Sequence, residues 1–131
     1  MTRWPLALAL AHALAACDAP PRAPVEGQVA RVQLDARTAD YATCVDAAVK
    51  RLATPTTQAA DAADAAFKEC APVRVKLVAE VSKFRRLGEP KEPATNNAAV
   101  AEGSVAVIEN DLRASTVVTA VSTKLDQEKN P

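Results

Sequence analysis

Histidine, glycine and aromatic side chains are scarce in this chain. Its 131 residues include one histidine, three glycines, one tryptophan, one tyrosine and two phenylalanines. A β-sandwich or barrel draws on aromatic strand residues and turn glycines, so that composition argues against both. Charge of either sign is not in excess: sixteen Lys and Arg meet sixteen Asp and Glu, for a formal net charge of +0. A nucleic-acid binder recognisable by bulk positive charge is excluded. No run approaches the ~20 apolar residues of a membrane-spanning helix. What is abundant is alanine, thirty residues of it, and alanine is the best helix former. The length allows one small domain at most, and the expected fold class is all-α.

The N-terminus has its own pattern. Arg3 is followed by the mostly apolar stretch Trp4 to Leu14, about half the length of a spanning helix. Such a segment behind a basic residue is a targeting signal and not part of the fold. It ends in Leu14-Ala15-Ala16-Cys17. These residues, at this distance from the start, resemble the lipobox of a bacterial lipoprotein signal. The resemblance implies that residues 1–16 are cleaved as a signal peptide and that Cys17 is acylated on sulfur, then on its new amine, with palmitate-type chains. Three acyl chains exceed the two signals needed for stable anchoring. The protein is then expected on a bacterial membrane, facing the periplasm. Asp18, directly after the lipidated cysteine, resembles an inner-membrane retention signal.

Processing before Cys17 leaves 115 residues and removes His12, the only histidine. Histidine-dependent triads and histidine-ligated metals are then excluded, and no cofactor site is expected. Val, Leu, Ile and Phe number twenty-four of these 115 residues, near the boundary of disorder. With little net charge, a thin helical core is expected. Residues 17–36 carry Pro20, Pro21, Pro24 and Gly27, and prolines at this density predict an extended tether. Val29, Val32 and Leu34 would dock its end on the domain.

Residues 37–88 are expected to hold a helical hairpin and a third helix. Tyr41, Cys44, Val45, Ala48, Val49 and Leu52 fall on one helix face. Pro55 ends that helix. A second helix, about 58–71, follows, capped by Thr54 or Thr57, with Ala63, Ala66, Phe67 and Cys70 on one side. Pro72 ends or kinks it. Val73, Leu77, Val81, Phe84 and Leu87 form the next stripe, with Gly88 a suitable C-cap. Residues 89–96, with Pro90 and Pro93, are expected as a linker. The C-terminal segment 97–131, capped by Asn96 or Asn97, carries two stripes. Val105, Ile108 and Leu112 form one; Val118, Val121 and Leu125 form the other, about 120° away. Either the helix bends between them or there are two helices. The predicted core is Tyr41, Val45, Ala48, Leu52, Ala63, Phe67, Leu77, Val81 and Phe84.

Export to an oxidising compartment favours disulfides. With Cys17 committed to lipid, Cys44 and Cys70 remain, and a bridge would staple the hairpin. The alternatives are two buried thiols or an intermolecular bond. Their positions differ by about one helical turn relative to the connecting loop, an offset the structure must absorb.

Three function classes follow. The first is a membrane-anchored, non-catalytic lipoprotein domain that binds an envelope protein or supports the envelope. The second is an enzyme acting on cell-wall polymers, or an inhibitor of one, for which Asp61, Asp64, Glu80 and Glu109 are carboxylate candidates. Asp61 and Asp64 at i, i+3 also suggest a cation pair, but no third ligand is near. The third is contact of Arg74, Lys76, Lys83, Arg85, Arg86 and Lys91 with an anionic surface. The first class is favoured and no catalytic residue is assigned.

The anchor is directly testable. Cys17→Ser removes the sulfur that takes the lipid and should leave an uncleaved precursor, whereas the native chain should begin at Cys17 and carry the mass of its acyl chains. Intact mass spectrometry of membrane fractions reads both, and a soluble, unlipidated product with another N-terminus would refute the lipobox.

Overall fold

The computed structural model describes residues 25–130, and those residues form four helices and no strand. α1 is Val25–Leu52, α2 is Ala59–Glu69, α3 is Ala71–Gly88 and α4 is Ala94–Lys129. The all-α class is as the composition implied. Residues 1–24, with the signal segment, Cys17 and Asp18, lie outside the described residues.

The chain runs up, down and up again. α1 rises, and α2 and α3 descend beside it as one leg broken at Cys70. α4 rises along both. Cross-contacts fix the antiparallel register of the last two legs. They run in order from Ser82–Asn97 and Arg74–Glu102, through Asp64–Arg113, to Lys124 on the Thr57 carbonyl and Gln127 on the Ala53 carbonyl.

Residues 25–36, expected as part of the tether, are helical instead, because α1 already begins at Val25. Pro24 is the last proline before Pro55. Beyond it only Gly27 opposes helix, at a cost of about 1 kcal/mol. Ala30 is buried and Leu34 packs against the core, which offsets that cost. Val29 and Val32 do not dock: they are 51% and 68% exposed on the outer face.

The α1–α2 turn is built by Pro55, with the Thr57 amide donating to the Thr54 carbonyl at 3.1 Å. The two threonine hydroxyls bond each other at 2.6 Å. The helix cap is Gln58 and not either threonine, and it makes no side-chain cap. At the next junction Pro72 sits within the first two positions of α3, where its missing N–H costs no helix bond. Both Val73 and Arg74 amides donate to the Cys70 carbonyl at 3.0 Å.

Gly88 ends α3 without a positive φ, and Glu89 is the C-cap. The linker is shorter than 89–96: α4 starts at Ala94 with Pro93 as its cap. Asn96 and Asn97 therefore lie inside the helix, and Asn97 is buried, accepting from the Ser82 hydroxyl at 2.6 Å.

α4 is a single 36-residue helix, about 54 Å long at 1.5 Å per residue. The conflict between its two apolar stripes is resolved within one continuous helix, not two. Val105, Ile108 and Leu112 face the core, and the same face continues as Thr116 and Ala120. The Thr116 hydroxyl donates to the Leu112 carbonyl at 2.8 Å, which lets it be buried. Val118, Val121 and Leu125 remain outside.

The core is small in every sense. Ala30, Ala48, Ala53, Ala62, Ala63 and Ala66 are buried along the first two helices, while Tyr41, Val45, Val49, Leu77 and Val105 supply the bulk. Of the predicted core, Leu52, Phe67 and Phe84 are half-buried and the rest are buried.

Cys44 and Cys70 form the predicted disulfide, with Cα atoms 6.0 Å apart. The one-turn offset is taken up at the helix break, where Cys70 is the C-cap of α2 and the N-cap of α3. Closing a loop of this size is worth about 3.5 kcal/mol on the chain-entropy estimate. The double variant Cys44→Ser, Cys70→Ser should keep its helical circular dichroism but lose stability on the order of 2–5 kcal/mol, read as a lower urea midpoint.

Candidate functional site

An extended polar cluster between the legs joins three helices. The Tyr41 hydroxyl of α1 donates to Glu109 Oε1 of α4 at 2.5 Å. Arg74 Nε of α3 donates to that same oxygen at 3.0 Å, and its Nη1 reaches Glu102 Oε2 at 2.7 Å. Tyr41 has no exposed surface. Burial, and then its bond to the Glu109 carboxylate, push its phenol well above the ordinary tyrosine range. Arg74 is held further toward its charged form, chiefly by its bond to Glu102.

The chemistry of this cluster is that of a clamp. Glu109 carries an acceptor oxygen already shared by two donors, and Tyr41 keeps its proton. A second contact set lies beside it. The Tyr41 and Phe67 rings are 6.5 Å apart and tilted, and the Arg113 guanidinium sits 5.2 Å from the Phe67 centroid while bonding Asp64.

The four carboxylates singled out in the sequence are not brought together. Asp61 is exposed, Asp64 pairs with Arg113, Glu80 pairs with Lys83 at 3.2 Å, and Glu109 belongs to the clamp. Asp61 and Asp64 gain no third ligand: among the described residues no three His, Cys, Asp or Glu side chains are grouped to hold a metal.

Three of the six basic residues of the stretch 74–91 are paired within the domain. Arg74 is committed to Glu102 and Glu109, Lys83 to Glu80 and the Gln33 amide oxygen, and Arg85 to both oxygens of Glu92 at 3.0 and 2.9 Å. Lys76, Arg86 and Lys91 are exposed.

Two apolar surfaces stand out. On α4, Val107, Val118, Val121 and Leu125 are 45–66% exposed and, with Ala114, fall at intervals of three, four and seven residues on the face turned from the core. Val118, Val121 and Leu125 are the second stripe read in the sequence; Val107 and Ala114 extend it. The other surface is a groove of about 740 Å³ between the first turns of α1 and the last turns of α3, floored by Phe84 and Leu87 and rimmed by Glu26, Arg31 and Arg85. It continues over Val25 and Val29. Reading residues 25–36 as tether hid this groove. The 4–3–4 spacing of Val25, Val29, Val32 and Ala36 is the signal that marks helix there.

No helix among the described residues is long and apolar enough to cross a membrane. Comparison with protein-family models, curated proteins and solved structures finds no match to this chain.

Tyr41 is the sole tyrosine, so its titration is readable by absorbance. Its folded-state pKa lies above the unfolded value near 10, so it stabilises the fold below that value and the contribution is lost as pH rises past it. The native chain should stay un-ionised through the pH range in which the urea-unfolded chain titrates. A native titration near 10 would contradict the clamp.

Proposed function

We propose that this chain is a membrane-anchored envelope lipoprotein whose small helical domain is a non-catalytic protein-interaction module. The observation that carries the module is the α4 stripe of Val107, Val118, Val121 and Leu125. Isolated exposed apolar residues are ordinary, but a row repeated along one face of one helix is how helices present themselves to a partner groove or a partner helix. Sequence Leu14-Ala15-Ala16-Cys17 supports the anchor, and the pairing of most polar groups with each other supports a binding role over catalysis.

In this reading the partner face is the free side of α4, the longest helix among the described residues, toward the pole opposite the start of α1. Gln127 and Lys124, which contact the α1–α2 turn, mark that pole. An envelope protein would reach it without displacing the clamp or the disulfide.

A photoreactive side chain at Val118 or Val121 in the membrane-bound protein should yield one discrete protein adduct. The same group at exposed Lys76 on α3 should not yield it, and Val107→Asp should abolish it. Equal labelling from all three positions, or none from α4, would remove the module.

A further inference from the structure

We propose that the pole of the bundle holding the α1–α3 groove lies on the bilayer and inserts its apolar side chains among the lipid acyl chains. The inference rests on the lipid-anchor reading above and adds an orientation and a second contact to it.

Exposed large apolar residues of α1 and α3 concentrate at this pole. Val25 is 75% exposed, Val29 51%, Val32 68% and Leu87 49%. Phe84 and Leu87 floor the groove, and Val25 and Val29 extend it over the start of α1. Among the described residues nothing covers Val25, Val29, Val32 and Leu87.

The chain itself says what surface stands opposite. Cys17 precedes Val25 by eight residues. Eight residues span at most about 29 Å when fully extended. A Cys17 held by its lipids at the membrane therefore keeps the start of α1 close to the head groups. Val118, Val121 and Leu125 of the α4 stripe lie 24 to 31 residues along that helix, about 36–46 Å from its start and outside that reach.

Charge at the groove pole favours insertion over electrostatic docking. Arg31 pairs with Asp35, Lys83 with Glu80 and Arg85 with Glu92. Arg86 and Lys91 are balanced by Glu26 and Glu89. No net positive field remains to hold anionic lipid. The available attraction is apolar burial, at a depth of ~5–10 Å for side chains lying at the head-group boundary. That depth takes in Val25, Val29 and Leu87, leaves Val32 at the edge, and lets Arg86 and Lys91 extend their charged ends back to water.

The mature chain contains no tryptophan once Trp4 is removed with the signal, so single reporters are clean. Leu87→Trp and Val118→Trp are made in the full chain, and each mature protein is reconstituted in phosphatidylethanolamine and phosphatidylglycerol vesicles whose acyl chains carry bromine. Leu87→Trp should be blue-shifted and lose most of its emission to bromine, while Val118→Trp stays bright. The Leu87→Trp quenching should survive ~1 M salt, where charge contacts are screened beyond about 3 Å. Quenching lost in high salt, or equal at the two sites, overturns the proposal. So does an unquenched Leu87→Trp in a protein whose mass shows lipid on Cys17; that result spares the anchor. An unlipidated Cys17 removes the anchor and this contact together.

Discussion

Eight buried alanines line the contacts between the three legs of this bundle, on α1, α2, α4 and the turn at Ala53. A methyl side chain lets neighbouring backbones approach closely, but each one removes little apolar area from water, and burial scales with area at roughly 25 cal/mol per Å². The fold therefore gains close packing without much hydrophobic energy. Two other devices follow from that shortage. The Cys44–Cys70 bridge restricts the unfolded chain, and the Tyr41–Glu109–Arg74 clamp ties all three legs at mid-height with charge-assisted bonds in a place shielded from water.

The clamp also explains why residues that looked like chemistry are structural. Glu109 was one of four candidate carboxylates, and it is the one the fold uses most. Its partner Arg74 belonged to the basic stretch; laying α3 and α4 antiparallel pairs it with Glu102 and Glu109, while Lys83 and Arg85 pair locally and Lys76, Arg86 and Lys91 stay exposed. Neither pairing is visible along the sequence, since Tyr41 and Glu109 are 68 residues apart and Arg74 and Glu109 are 35 apart. Only the register of the legs brings them together.

Local periodicity carried the middle of the chain well. The Tyr41–Leu52 face, the break at Pro72 and the disulfide were all legible, because each rests on short-range spacing or on a scarce residue type. The failures have physical causes. Proline content governed the reading of 17–36, yet proline acts only on its near neighbours, and from Val25 onward helix propensity and the burial of Ala30 and Leu34 prevail. In α4 hydrophobicity pointed the wrong way. The core face is completed by Thr116 and Ala120, a polar and a small residue, while the larger Val118, Val121 and Leu125 stay outside. Asn97 was read as a helix start for the same reason: its polarity suggested a terminus, whereas inside α4 its Oδ1 accepts from the half-buried Ser82 hydroxyl and its buried Nδ2 has no partner among the described residues.

An odd number of legs puts the start of α1 and the end of α4 at opposite poles. Tension applied between them runs along the bundle axis, so the interhelical contacts are loaded together in shear and not peeled apart one after another. The disulfide changes what such a pull can release. It short-circuits 26 residues of sequence, so roughly 90 Å of contour stays locked after the helices separate. Under such a pull the domain is a short link whose extension the disulfide limits.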